Sequence, residues 1–213
     1  MAKSRYDSYP LSDWLQYSME RNIGRAPIWK FPHIPDWKED ISFRKLNFQN
    51  QHHLLEMFEN DEDEWVNERF KEAQSVYNYV AHLRIVALYS AKHGGCDWLV
   101  RKGDEYIGVL HAFDFSIENY NYHHRRCAIG YAFTKSVRGT GLPLQIVPYF
   151  QQFLFQKMNL LLQFALVNKA NHRSIRFLEK LGFEEQIFEE DSKNRWFESY
   201  RSKKARAMVM KER

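Results

Sequence analysis

Two short segments of this chain carry residue types and spacings suited to chemistry. The first is Val137-Arg138-Gly139-Thr140-Gly141-Leu142, a glycine-bearing loop directly ahead of a helical pattern that opens at about Pro143. A helix starting from such a loop presents unpaired backbone N–H groups and the positive end of its dipole, a combination suited to phosphate oxygens. Gly139 and Gly141 let the backbone approach a pyrophosphate closely, and Arg138 adds a cation beside it. The pattern is not a dinucleotide-binding fingerprint, because the third glycine is missing and the preceding strands form a meander. Nor is it a P-loop, since no Gly-Lys-Ser/Thr follows. Alone, it also fits an ordinary tight connection.

The second segment is Asn168-Lys-Ala-Asn-His-Arg-Ser-Ile-Arg-Phe-Leu-Glu-Lys-Leu-Gly-Phe183. Within it, Asn171-x-x-Ser174-Ile-x-Phe177-Leu-Glu-Lys-Leu-Gly-Phe183 resembles the second signature of the GNAT superfamily of N-acetyltransferases. Arg138-x-x-Gly141 resembles the start of that superfamily's pyrophosphate-loop signature, Q/R-x-x-G-x-G/A. Ile129-Gly130-Tyr131 looks like the Ile-Gly-Tyr strand of the branch that includes ribosomal-protein N-terminal acetyltransferases. The resemblance covers about residues 40–200, with the motifs in the family's order and spacing.

The resemblance implies an α/β (α+β) fold with a mixed, mostly antiparallel sheet of about six to seven strands flanked by helices. Two strands, here Arg126–Phe133 and Leu160–Val167, splay apart, and acyl-CoA fills the gap. Tyr131, Ala132 and Phe133 then face the pantetheine arm. Arg138, Gly139, Thr140, Gly141 and Leu142 meet the pyrophosphate, and Asn171, Ser174 and Arg176 complete the cofactor set. A backbone N–H in this region polarises the thioester carbonyl. The implied reaction is direct attack of a neutral amine on acetyl-CoA, with no acyl-enzyme, so Cys127 need not be a nucleophile. Ser174 is the candidate general acid for the thiolate, and Tyr131 is a second catalytic candidate.

Several of these residues have a plainer alternative. Asn171 can cap the helix it precedes as well as bond the cofactor. Ser174 can be a first-turn serine satisfied by backbone. Arg173 and Arg176 can reach CoA phosphates or simply be solvated. Two positions depart from the family pattern. Pro143 replaces the second glycine or alanine of the loop signature and removes one N–H donor. Ala128 stands where the related branch often carries an acid. The general base is therefore unassigned, with His111, Asp114, Glu118, His123 and His124 as candidates.

The elements that must hold these groups are readable from periodicity. Ile41–Leu46 alternates as a first strand. Helices are predicted at Gln51–Glu59 and, longer, from about Glu62 to Lys92, with Val66, Phe70, Ala73, Tyr77, Val80 and Leu83 as the apolar stripe and Gly94-Gly95 as the stop. Strands follow at Asp97–Lys102, Glu105–Ile117 and Arg126–Phe133. Ile107, Val109, His111, Phe113 and Phe115 are expected on one face. A helix over Pro143–Met158 contains Pro148, which should kink it or delay its regular part. A buried strand, Leu160–Val167, and a helix, Asn171–Leu181, lead to the stop at Gly182. A terminal hairpin, Glu184–Glu189 and Arg195–Arg201, closes the sheet.

The domain is thus residues 41–201, between an aromatic-rich extension, 1–40, and a basic tail, 202–213, that is frayed or helical. The extension holds a short helix capped at Ser12-Asp13 with Trp14, Leu15 and Met19 on one side. Its aromatics, among them Tyr9, Trp29, Phe31 and Trp37, call for a surface to pack on, either the domain or a second copy in a homodimer. At 213 residues, 44% hydrophobic, the chain suits one domain with a substantial core. A net charge of +4 falls short of a nucleic-acid-binding signature, although six basic residues in Arg201–Arg213 keep a ribosome-associated role as one alternative. A CoA- or protein-binding module without turnover is another, and a longer acyl-CoA donor on the same fold is a third. Cys96 and Cys127 belong to no metal pattern, His123-His124 lacks metal-ligand spacing, and the polar N-terminus lacks a secretory core. A cytoplasmic protein without a metal or membrane span is expected.

Overall fold

The computed structural model describes residues 31–38, 40–89, 94–115, 125–187 and 193–211. The expected helix at Ser12-Asp13, with Tyr9, Trp14 and Trp29, lies outside them, as do Glu118, His123 and His124. Seven strands form one sheet in the order β1-β2-β3-β4-β5-β7-β6. They are β1 (Ile41–Lys45), β2 (Gly94–Lys102), β3 (Glu105–Phe115), β4 (Arg126–Phe133), β5 (Leu162–Asn168), β6 (Glu184–Gln186) and β7 (Asn194–Tyr200). Every neighbouring pair is antiparallel except β4 with β5. The mixed sheet is the one the sequence implies.

Alternation along β2 and β3 sends side chains to two cores, because successive residues of a strand face opposite sides. Trp98, Val100, Leu110 and Ala112 join Ile146, Phe150 and Leu154 of α3 (Pro143–Lys157) and Ile175 and Leu178 of α4 (His172–Lys180). Leu99 and Val109 face the other way. They meet Leu54 and Phe58 of α1 (Gln51–Phe58), Phe70 of a 3-10 turn (Glu68–Phe70) and Val76 of α2 (Ala73–Tyr89). Pro148 is exposed and α3 continues through it. The tail is helical over α5 (Lys203–Lys211), which lays Ala205 and Val209 in the interior. Among the described residues, no helix is long and apolar enough to cross a membrane.

The predicted helix from Glu62 begins instead at Ala73. Before it, short polar side chains capture the backbone locally, which competes with helix formation. Asp61 accepts from the N–H of Asp63 (3.0 Å), Asp63 from Trp65 (3.1 Å) and Asn67 from Arg69 (3.1 Å). Val66 and Phe70 are buried from this loop and turn, and on α2 the buried face is Val76, Val80, Ala81 and Ile85, with Tyr77 47% exposed. Gly94-Gly95 opens β2, and the stretch between Tyr89 and Gly94, where the helix is expected to stop, lies outside the described residues.

The odd positions of β3 also divide, because the β2–β3 register shifts twice. Ile107 is an extra residue between the pairs Val100↔Gly108 and Arg101↔Tyr106, and Asp114 sits in a second irregularity at φ +59°. Such bulges reverse which face a residue takes. Ile107 and Phe115 therefore join the α3 side, while Val109 and His111 face the α2 side.

The described end of the N-terminal extension packs on the domain. Phe31 is buried edge-on against Trp98 and Phe115, and Trp37 stacks on Tyr149. Across the α3 side, Phe150 meets Trp98 edge-on at 5.4 Å, both fully buried. Phe150→Ala should cost about 3–5 kcal/mol, read as a lowered urea midpoint. A midpoint within error of wild type would mean that α3 is not anchored through this ring.

Candidate functional site

β4 and β5 start side by side and then part. Their register holds for Arg126↔Leu162, Cys127↔Gln163 and Ala128↔Phe164 and ends there. Beyond it β4 continues to Phe133, paired only with β3, and β5 continues to Asn168, paired only with β7. Among the described residues no strand lies between the facing edges, Ile129–Ala132 and Ala165–Asn168. On the α4 side the fork has an aromatic and hydroxyl floor. Tyr131 packs on Phe177 with ring centroids 4.8 Å apart, and its Oη lies 2.9 Å from Ser174 Oγ. Burial pushes the Tyr131 phenol well above its ordinary value, against a smaller opposing pull from Ser174.

The cleft over this floor has a volume of about 490 Å³ and runs to the loop ahead of α3. Gly139 and Gly141 adopt φ +79° and +82°, a region that suits glycine, and no atom would obstruct a Cβ at either. Thr140 Oγ1 donates to the Val137 carbonyl and accepts from the Leu142 N–H, which folds the loop tightly. Among the described residues, no acceptor takes the N–H groups of Gly139, Gly141 or Leu144. Pro143 removes a donor from the first turn, yet these three remain beside it.

Arg138 lines the cleft, but its guanidinium is engaged with carboxylates. It donates to Asp61, to Asp63 at 3.0 Å, and through Nε to the Phe133 carbonyl at 2.7 Å. Arg173 donates to Asp63 at 2.5 Å. These bonds clasp the α1–α2 loop onto the start of α3 and α4. Arg176 and Lys180, both exposed on α4, line the same cleft. A neighbouring cleft of about 1030 Å³ is lined by Glu56, Asp61, Glu62, Asp63 and Glu64 against Lys135, Arg138 and Arg173, a net negative lining that suits a phosphate less.

Asn171 caps α4, its side chain accepting from the Ser174 N–H at 3.0 Å. The Ser174 hydroxyl is thereby turned to Tyr131 rather than to backbone. Cys127 is buried and Cys96 nearly so, and burial pushes both thiols up, the opposite of an activated nucleophile. Of the base candidates, His111 faces the α2 side opposite Gly130, and Asp114 lies in the β3 bulge with its charge bearing on Cys127. His52, His53 and Glu56 bring ligand-type atoms within 4.8 Å on α1, but His53 Nδ1 is already bonded to Glu56 at 2.8 Å.

Sequence reasoning missed Asp63, in a stretch read as helix, Asp61 just before that stretch, and Lys180, one turn beyond Arg176. It also missed Asp97 and Tyr79, which hold His111. The available signal for Asp97 was a lone charge inside the apolar run Cys96–Val100.

A model of the acetyltransferase (GNAT) domain family matches residues 40–184. No curated protein matches the chain. Among solved structures, the ribosomal-protein-S5-alanine acetyltransferase from Vibrio fischeri superposes with a TM-score of 0.61 at 12% identity, covering 82% of this chain and 97% of that one. A spermidine N-acetyltransferase SpeG chimera from Vibrio cholerae and hSSAT gives 0.60 at 14%, covering 80% and 99%. The Campylobacter jejuni N-acetyltransferase PseH in complex with acetyl coenzyme A gives 0.52 at 17%, covering 76% and 99%. At these identities the likeness is one of fold.

The loop clasp carries a pH dependence. For Asp61 and Asp63, burial acts to raise the pKa, but hydrogen bonds and the charges of Arg138, Arg173 and Lys71 outweigh it, so both lie below the ordinary value. A lowered folded-state pKa gives stability that is present above about pH 4 and lost as pH falls through the lowered values. The double variant D61N/D63N should therefore unfold at a lower urea concentration than wild type at pH 7. The two should converge as the pH drops toward about 2. A gap that stays constant over that range would contradict the clasp.

Proposed function

The chain belongs to the GNAT acetyltransferase family and is an acetyltransferase, and from that premise we propose that it transfers the acetyl group of acetyl-CoA to a primary amine. The acceptor is a protein or peptide N-terminus or a small molecule. The observation that carries this reading is the parting of β4 from β5 beside an N–H-rich helix start.

The residues present fit acetyl-CoA. The N–H groups of Gly139, Gly141 and Leu144 suit pyrophosphate oxygens, and Arg176 and Lys180 add positive charge at the same cleft. The strandless edges of Ile129–Ala132 and Ala165–Asn168 offer N–H and C=O groups to the amides of a pantetheine arm, as a sheet edge offers them to another strand. Arg138 then serves the cofactor indirectly, by holding the loop through Phe133 and the two aspartates. Asn171 serves through Ser174.

Acetyl-CoA supplies an activated thioester. Tyr131 and Ser174 supply a proton on the α4 side of the fork. Burial keeps the Tyr131 phenol protonated, so it stays a donor to Ser174 Oγ while Ser174 hands its proton to a departing sulfur, and the proton that the acylated nitrogen sheds restores Ser174. The N–H groups along the free edge of β4 are donors for a carbonyl oxygen that gains charge.

Titration calorimetry with acetyl-CoA should show one site per chain, and no heat at millimolar ligand would sink the cofactor assignment. Thiol release across a panel of amines and peptides should follow. Binding with no release from any member would mean a module without turnover. Ser174→Ala should slow release about 10–100-fold with acetyl-CoA affinity nearly unchanged. An unaltered rate would remove Ser174 from the proton path.

A further inference from the structure

Resting on the acetyl-transfer reading above, the geometry points to His111 as the group that takes the proton from the attacking amine, positioned by Asp97 and Tyr79. Asp97 lies within β2 and is 2% exposed. A carboxylate so deep needs donors: Tyr79 Oη donates to its Oδ2 at 2.6 Å, and His111 Nδ1 lies 2.9 Å from the same oxygen and 3.5 Å from Tyr79 Oη. Burial, then the charge of Asp97, drives the Tyr79 phenol well above its ordinary value, so Tyr79 is a fixed donor. With the Asp97 carboxylate and the Tyr79 oxygen both on its Nδ1 side, the ring is assigned the Nδ1–H form, which leaves the lone pair on Nε2. Among the described residues nothing bonds Nε2.

The ring's position follows from its packing. Phe70 stacks on it with centroids 5.7 Å apart, and Gly130 of β4 is its direct partner in the β3–β4 register. A Cβ at residue 130 would stand 3.3 Å from Cδ2, the ring carbon bonded to Nε2, so the Nε2 side of the imidazole lies over bare backbone. The His111 side chain keeps 13% of its surface exposed although Asp97 is sealed. His111 thus lies over β4 on the α2 side at Gly130. Tyr131 and Ser174 lie on the α4 side at the next residue. A proton acceptor and a proton donor flank the same two residues of β4, where its outer edge is free.

The step moves one proton. An N–H bond of the ammonium breaks, and its electron pair stays on nitrogen as the nucleophilic lone pair. Nε2 takes the proton, directly or through one water, and Asp97 balances the imidazolium until the proton passes to solvent. The titratable groups facing His111 are Asp97 from β2 and Tyr79 from α2, and the charges of Arg69 and Cys96 bear on Tyr79. From β4 the facing residues are Ala128, Gly130 and Ala132, which carry no charge.

Nitrogen-15 NMR of the ligand-free chain reads the tautomer without turnover. His111 is expected as the Nδ1–H form, and a neutral Nε2–H form overturns the inference. His111→Asn keeps a donor for Asp97 and loses Nε2; His111→Gln is the second variant should the first fail to fold. With the amine that wild type acetylates fastest, thiol release at pH 7 should fall about 100-fold, while calorimetric affinity for acetyl-CoA stays within about threefold. The deficit should close as pH rises through the amine's own pKa, because solvent has then removed the proton. A deficit constant with pH, or none, overturns the role of His111 alone. Absence of acetyl-CoA binding or of any turnover by wild type overturns the acetyl-transfer reading and this inference with it.

Discussion

A strand inside a sheet satisfies its backbone along both edges, and unpaired edge groups attract whatever can pair with them. β4 is held along one edge by β3 over Gly108–Phe113, but along the other β5 accompanies it only through Ala128. Among the described residues no strand fills the gap. Instead the chain lines the floor with Tyr131, Ser174 and Phe177 and sets the start of α3 at the mouth. An extended ligand with amide groups and a polyanionic end would satisfy both features at once, which is why the fork organises the rest of the site.

Charge is distributed to match. The α1–α2 loop is strongly acidic and lies next to the mouth, where it would repel a pyrophosphate. Arg138 and Arg173 neutralise its two innermost carboxylates and tie the loop down. The loop thereby becomes a wall of the cleft, and on the proposed acetyl-CoA reading the anion-binding work falls to backbone N–H groups and to Arg176 and Lys180 on α4. Rigidity at the site follows from this division, since the residues expected to meet the acyl group sit on β3, β4 and α4 rather than on loops.

Local sequence carried much of this. The strand at Arg126–Phe133 has its predicted bounds, the helix after Gly141 starts at Pro143, and Gly182 ends α4 at φ +78°. Each rests on turn chemistry or periodicity within a few residues. What was not legible depends on distant partners or on local competition. Arg138 reads as a phosphate ligand until Asp61, far away in sequence, is brought to it. The residues before Ala73 carry helical spacing, but Asp61, Asp63 and Asn67 fold back on their own backbone. The two bulges in β3 shift the faces of Ile107 and Phe115, and no residue pattern in a single sequence marks them. Asp97 and His111 meet only because β2 and β3 pair in one register. A charged residue interrupting one apolar strand and a histidine interrupting the next were the visible hints.

The central claim is that the outer edge of β4 beyond Ala128 is where acetyl-CoA pairs with the chain. Amide hydrogen exchange, followed with and without saturating acetyl-CoA, tests it most directly. Slowed exchange is expected within residues 129–133 of β4 and at Gly139, Gly141 and Leu144, with little change in β1 or β2. Protection confined to other segments, or none in β4 at saturating ligand, would contradict it.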